Sequence, residues 1–492
     1  MESIWRQRLA AMKDKKLKTR AFAAFNTNID VVVHLTGEML ADIIAGLEKT
    51  AANEALLRKL EQPVQSEAEL PEVVDDVGAF LRVIRYKVEE GKAHHVVMTA
   101  TFADWLKQNF RQVFTTMGGQ AGIIANQMAA LEAASICYTP LLSPAQAELF
   151  DSRVKIPKVV KKAGGQALEL VPVEKAAEAG DAVKVNWIFE YSKGEIFHFG
   201  SLPVETNRAN RVILATRPRE SVMAFPEEML PWLGELGSCI DVAFMAGYHY
   251  AAPENNGGRD FAGYMAYTLD SLARLTSRNK RLRLHYEYVP MKQYEPLEAA
   301  VLRGISPYIH SLGINEIEIV RALQKLGHEA AAEAVKKGED AYYLYKGAKV
   351  LFDDLGMERI HVHNLGYYVV VMRKPYPISW QDAQAASLYA SMVCGVKAKY
   401  GGYPQVQHLA ELAEFPLSEI GFAQLKMFES AVKNELRPLA EGVWEGEDHY
   451  VLVIPAHVIP NPLVTVGMGD TISSSSFAME AALAVDTMTA KC

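Results

Sequence analysis

Near the end of the chain, Gly467-Met468-Gly469-Asp470 places a carboxylate directly after a glycine turn, at the mouth of a small-residue run that suits a buried helix. Unpaired amides at a helix N-terminus, with the positive end of its dipole behind them, form a site for an anion such as a transferring phosphoryl group. A carboxylate there would be repelled by bound phosphate unless it has a task. The task that fits is accepting the proton of a hydroxyl nucleophile as it attacks phosphorus. In this reading Gly467, Met468 and Gly469 supply the amides and Asp470 the base; the alternative is an N-cap Asp that opens a structural helix. Leu463, Val464, Thr465 and Val466 are β-formers, so a strand is expected to run into the turn.

Further clusters bear on the same chemistry. Met117-Gly118-Gly119-Gln120-Ala121-Gly122 is a second glycine turn feeding a small-residue helix, and the strand Ala21 to Phe25 leads into Asn26-Thr27-Asn28-Ile29-Asp30, whose amides and carboxylate suit sugar hydroxyls. In His285-Tyr286-Glu287 the strand alternation puts His285 and Glu287 on one side. Magnesium takes oxygen ligands and keeps several waters, so Glu287 can serve it through waters. His361 and His363 have no third ligand near them in the sequence and read as core histidines. Lys184, on an expected strand Val183 to Tyr191, falls on the face opposite Val183, Val185, Trp187 and Phe189, free to enter a cleft.

The composition bounds these readings. At 492 residues the chain can bury a large core, and with 51 basic against 59 acidic residues its net charge of -8 argues against a general nucleic-acid binder. The four cysteines are widely spaced, with no metal or disulfide pattern, which fits a reducing cytoplasm. The basic N-terminal twenty residues lack the apolar core of a signal peptide and read as a solvated surface helix, and the apolar run Leu365 to Met372 is too short to span a bilayer.

Positioning such groups takes a scaffold, and the order of elements supplies one. From Asp241 onward, strand (Val242 to Met245), helix (Phe261 to Leu275), strand (Leu282 to Tyr288), helix, strands (Ile360 to Val362, Tyr367 to Met372) and helix (Trp380 to Val396) alternate, as in a mostly parallel sheet covered on both faces. Ligands of such sheets sit at the carboxyl ends of the strands, where the turns at Gly119, Gly247 and Gly467 can converge. Earlier, Leu40 to Leu60 and Val77 to Lys92 have helical spacing, Val96 to Thr99 reads as a strand, and Thr115 to Gly119 reads as a return to the main core. Val183 to Tyr191 and Glu195 to Phe199, joined by Ser192-Lys193-Gly194, read as a hairpin.

Taken together and in this order, NTNID, GGQAGI and NPLVTVGMGD resemble the motifs of the ADP-dependent glucokinases and phosphofructokinases of the ribokinase-like superfamily, over nearly the whole chain. The resemblance implies an α/β/α sandwich with a mostly parallel central sheet plus a smaller α+β lid. Residues 1–27, 118–180 and 218–492 would form the nucleotide-binding part, and 28–117 with 181–217 the lid that closes over the sugar. It further implies ADP as donor, Mg2+ as cofactor with Glu287 in an HxE-type motif, and Asn28, Asp30, Gly119 and Gln120 at the acceptor sugar. The adenine would lie near Val451 to Pro460. In the phosphofructokinase branch a lid lysine and an arginine hold the sugar phosphate. Lys184 and Arg211 match those places, which favours fructose 6-phosphate over glucose; the alternatives are a glucokinase or a non-catalytic binding member of the fold.

Overall fold

The structure, a computed structural model, describes residues 2–47, 50–62, 66–111, 113–338, 340–464 and 466–489. Its largest element is a twelve-stranded sheet. The middle of that sheet is parallel: Lys155–Lys162, Ala134–Tyr138, Arg20–Ala24, Val242–Met245, Arg283–Glu287, Ser311–Asn315 and Arg359–Asn364 lie side by side in that order. Antiparallel strands extend both sides, Gly165–Pro172 on one, and Tyr367–Arg373, His449–Pro455, Val443–Glu445 and Arg437–Ala440 on the other. From Arg20–Ala24 the chain proceeds to opposite sides of the sheet, so right-handed crossovers place the connecting helices on opposite faces. Gln120–Ala130 and Met468–Thr489 pack together on one face and Trp380–Tyr400 packs along Met468–Thr489, while Glu316–Lys325 and Ala341–Leu355 lie against the far strands. This is the expected sandwich. Its switch point, where ligands of such sheets bind, lies just past Ala24, at the segment that carries Asn26, Asn28 and Asp30.

A second sheet has six strands in the order Val73–Val74, His94–Met98, Asn210–Ala215, Val185–Tyr191, Asn28–His34 and Phe114–Gly118. One of its faces carries Ile29, Val31, Val33, Trp187, Phe189, Val212 and Leu214 into a core shared with helices Val77–Glu90 and Ala100–Asn109, separate from the core of the large sheet. Strand alternation leaves the other face to Asn28, Asp30, Asn186 and Arg211.

Several local expectations change. No strand forms at 463, 464 and 466, and Thr465 lies outside the described residues; Leu463 is exposed and bonds the end of helix Trp380–Tyr400 through its amide. Pro460 and Pro462 precede it, and no neighbouring strand offers a ladder. The hairpin after Val183 does not form either. Val185–Tyr191 is flanked by Asn28–His34 and Asn210–Ala215, which occupy both its edges, and Ile196–Phe199 pairs with Leu202–Glu205 instead. Phe114–Gly118 pairs with Asn28–His34 and belongs to the small sheet, so the return to the main core begins one residue later. The N-terminal helix Glu2–Met12 buries Trp5, Leu9 and Met12 and is solvated on one side only.

Candidate active site

Helix Met468–Thr489 begins directly after Gly467, so Asp470 stands in its first turn. Asp470 is half-buried, and desolvation pushes its pKa up to about 7; the Glu287 carboxylate adds to the rise, and a bond to Gln120 and the charge of Lys397 oppose it. Glu287 ends the strand Arg283–Glu287 beside that helix. A side chain at Gly469 would put its first carbon 2.9 Å from His363 Nε2 and 3.2 Å from Glu287 Oε1, so only glycine lets the turn approach. His285 Nε2 lies 3.2 Å from Glu287 Oε2 and His363 Nε2 3.6 Å from Oε1, and burial raises the Glu287 pKa against the lowering influence of His363 and Ser473. Gln120 donates to the Glu287 carbonyl at 3.3 Å, and its own Oε1 is buried without a partner. The two glycine turns and the HxE strand therefore do converge.

A third carboxylate belongs to this group. Glu318 caps helix Glu316–Lys325, its Oε2 accepting from the Asn315 amide at 3.1 Å. Burial, Glu287 and, more weakly, Asp470 push its pKa up to about 8. The sequence signal was present as Asn315-x-x-Glu318, a capping box following a short strand. Among the described residues no three His, Cys, Asp or Glu side chains stand close enough to hold a metal alone. Three carboxylates whose pKa values are all raised, with Glu287 raising those of the other two, nonetheless fit a cation whose remaining ligands are waters and phosphate oxygens.

The acceptor side lies at the switch point. A cleft of about 300 Å³ is lined by Asn26, Asn28, Lys184, Arg217, Arg219 and Tyr250, among others. Lys184 is buried, donating to Thr27 Oγ1 at 3.0 Å and Thr139 Oγ1 at 2.6 Å, and burial lowers its pKa to about 7. Asn28 bonds Asn26 at 3.2 Å. Asp30 accepts from Asn186 at 2.8 Å; burial pushes its pKa up to about 6, against that bond and the charges of Arg217 and Arg211. Gly118 leaves the space its carboxylate fills, since a side chain there would meet Asp30 Cγ at 2.0 Å. Gly119, the next residue, caps helix Gln120–Ala130. Arg211 does not line this cleft: it sits across from Glu190 within the small sheet. The arginine brought to Lys184 is Arg217, just past the end of that strand. It donates to Asn186 Oδ1 at 3.3 Å and Tyr250 OH at 3.2 Å, approaches His95 Nε2 at 3.0 Å, and stacks on the Tyr250 ring.

The conserved region of ADP-specific phosphofructokinases and glucokinases matches residues 19–479. The chain belongs to that family. An ADP-specific phosphofructokinase of Methanosarcina acetivorans is 32% identical over 93% of this chain and 92% of its own. Among solved structures, the last common ancestor of the ADP-dependent phosphofructokinases from Methanosarcinales superposes with a TM-score of 0.82 at 30% identity, covering 98% of both chains. An ADP-dependent kinase in complex with fructose 6-phosphate and ADPβS does so with a TM-score of 0.78 at 30% identity, again over 98% of each. The ribokinase-like architecture expected from the motifs is therefore that of this ADP-dependent family. No helix among the described residues is long and apolar enough to cross a membrane.

Proposed function

We propose that the chain transfers the β-phosphoryl group of ADP to fructose 6-phosphate, giving fructose 1,6-bisphosphate and AMP. The observation that carries this reading is the pairing of a carboxylate at a helix N-terminus with a cleft whose buried Lys184 and adjacent Arg217 have no carboxylate among their hydrogen-bond partners in the described residues. A sugar phosphate supplies the missing anion, and charge-assisted bonds to it are the strong kind. Asn28, Asp30, Gly119 and Gln120 would hold the sugar so that its free hydroxyl meets Asp470, which accepts the proton as the bond to phosphorus forms. The amides of Gly467, Met468 and Gly469 face the charge that develops on the transferring oxygens.

Mg2+, held by Glu287 and Glu318 largely through waters, would neutralise charge shared between leaving and transferring oxygens. The small-sheet unit, residues 28–117 and 181–217, acts as a lid on the nucleotide part formed by 1–27, 118–180 and 218–492. Its separate hydrophobic core lets it move as a body, and closure keeps water from competing for the phosphoryl group. The free thiols of Cys137, Cys239 and Cys394 suit a cytoplasmic enzyme.

One coupled assay tests the reading: fructose 6-phosphate and glucose, each with ADP and with ATP. Fructose 6-phosphate with ADP should give the highest turnover, with AMP as product. Higher turnover of glucose would move the protein to the glucokinase branch, and equal use of ATP would remove the donor assignment.

A further inference from the structure

The end of helix Trp380–Tyr400 buries a lysine beside the Gly467 turn. Lys397 stands in the last turn of that helix and is only 5% exposed. Among the described residues its ammonium forms no hydrogen bond and no ion pair; it lies over the Tyr403 ring, 5.1 Å from the centroid. A buried charge is costly unless it is paired. Burial accordingly lowers the Lys397 pKa, with Cys394 and Asp470 opposing the fall.

The neighbours of Lys397 place it at the turn. Cys394, one helical turn earlier on the same face, donates its thiol to the Met468 carbonyl at 3.7 Å, so this face lies against the start of helix Met468–Thr489. The Leu463 amide bonds the Ala398 carbonyl at 2.8 Å, and a side chain at Gly401 would come within 3.3 Å of Val464, which holds the approach to the turn against the same helix end. Helical side chains lean toward the N-terminus of their helix, so Lys397 reaches back along this face toward Met468. Tyr403, whose ring it covers, has its hydroxyl 3.5 Å from the Met117 carbonyl, at the start of the other glycine turn. The ammonium therefore stands between the two turns, and its charge and that of Asp470 act on each other.

We propose that Lys397 is a further catalytic residue: its ammonium donates to the oxygens of the transferring phosphoryl group, beside the amides of Gly467, Met468 and Gly469. In that step the sugar hydroxyl oxygen forms its bond to the β-phosphorus and its proton passes to Asp470. The bond from that phosphorus to the bridging oxygen breaks, and its electron pair leaves with AMP. Lys397 keeps its own proton throughout and neutralises charge on the transferring oxygens. It belongs to the nucleotide part, so it meets the donor's β-phosphate, whereas Lys184 and Arg217 meet the phosphate of the acceptor. The proposal rests on the reading of the Gly467 turn as the phosphoryl site.

The test compares Lys397→Met with the unsubstituted chain by turnover and by thermal midpoint in ADP and in AMP, the midpoints taken in EDTA so that no metal contributes. The two nucleotides differ by the β-phosphate that Lys397 meets. Expected are a midpoint of the free protein that is unchanged or raised, because an unpaired buried charge is gone, and loss of the extra stabilisation that ADP gives over AMP. Turnover should fall by about 10² to 10³-fold, as for removal of one donor to a developing oxyanion, with the KM for the sugar phosphate unchanged. Lys397→Gln removes the charge but keeps a polar end in the pocket, and should give the same loss of the ADP advantage where Lys397→Met does not fold. An ADP advantage that is absent from the unsubstituted protein, or that either variant retains, would overturn the proposal, as would turnover within about twofold of the unsubstituted protein. A lowered midpoint with the ADP advantage intact is the result that packing on Tyr403 alone would give. If the unsubstituted protein shows no ADP-dependent turnover, the functional reading falls, and the comparison of ADP with AMP alone decides for or against Lys397.

Discussion

At the helix end of the site three carboxylates, Asp470, Glu287 and Glu318, are all held above their usual pKa, whereas at the lid end two cations, Lys184 and Arg217, lie among hydroxyls, amides and an aromatic ring. In the absence of ligands each pole carries a charge that burial makes unfavourable, and the two are of opposite sign. A divalent cation with its nucleotide relieves the first, and the phosphate of a sugar phosphate relieves the second. A protein that only bound nucleotide would need the first pole without the second. A glucokinase would need the first without a buried lysine waiting for an anion. The comparison therefore ties substrate choice to the lid end and chemistry to the helix end, and substitutions at each should separate accordingly.

The largest effect belongs to the helix end. Asp470→Asn preserves size but removes the proton acceptor, so turnover at saturating substrate should fall on the order of 10² to 10⁴-fold while both substrates still bind. Retention of more than about a tenth of the turnover would show that another group takes the proton. At the lid end, Lys184→Ala or Arg217→Ala should weaken use of fructose 6-phosphate by about ten- to a hundredfold, as expected for one charge-assisted bond of roughly 1.5 to 3 kcal/mol. Turnover of glucose, where present, should hardly change. Equal losses on both sugars would mean that these cations support the fold and not the phosphate.

A smaller effect distinguishes the poles by metal. Glu318→Gln should raise the Mg2+ requirement about tenfold and leave the KM for the sugar phosphate alone, because its carboxylate acts on the cation side. A metal titration of turnover reads this directly, and an unchanged requirement removes Glu318 from the site. The pH dependence separates the poles in the other direction. A lysine with its pKa lowered to about 7 is charged below that value and loses its charge as pH rises through it. The sugar phosphate is already dianionic there, so its KM should rise from pH 7 upward by up to about tenfold per unit. Lys184→Arg keeps its charge and should flatten the rise. A flat profile in the unsubstituted protein would mean that Lys184 stays charged in its pocket.

How much of this was legible in the sequence follows the range of the interactions involved. The turn at Gly467 to Asp470, the helix at Gln120 and the strands at Val242, Leu282 and Tyr367 are local patterns of glycine, alternation and small residues, and they appear where the patterns put them. What failed depended on partners far along the chain. The alternation of Val185–Tyr191 was real, but nothing local says that Asn28–His34 and Asn210–Ala215 will claim its two edges before Ile196–Phe199 can. Leu463 to Val466 had the residues of a strand and no neighbour to pair with. Ser311–Asn315, short and interrupted by a glycine, left no periodic trace, and Glu318 in the helix after it was lost with it. Arg217 was missed for a related reason: it lies just past a strand end, where alternation no longer tells where a side chain points.

That last miss sets the smallest predicted effect and the sharpest contrast. Arg211 and Arg217 are six residues apart, and both charges lower the pKa of Asp30, so electrostatics alone does not choose between them. Geometry does. Arg217 lines the cleft with Lys184, and Tyr250 and Asn186 hold its guanidinium there, whereas Arg211 lies within the small sheet opposite Glu190. Opposite charges facing each other across half-exposed strands contribute about 0 to 1 kcal/mol, so Arg211→Ala should change the KM for fructose 6-phosphate by less than about fivefold. Its remaining influence is on Asp30. Without Arg211 the Asp30 pKa should rise from about 6, moving the acid limb of the pH profile upward while leaving the plateau in place. A loss from Arg211→Ala as large as that from Arg217→Ala would mean that closing the lid carries Arg211 to the phosphate, and the arginine chosen from the sequence would then share the clamp with the one chosen from the structure.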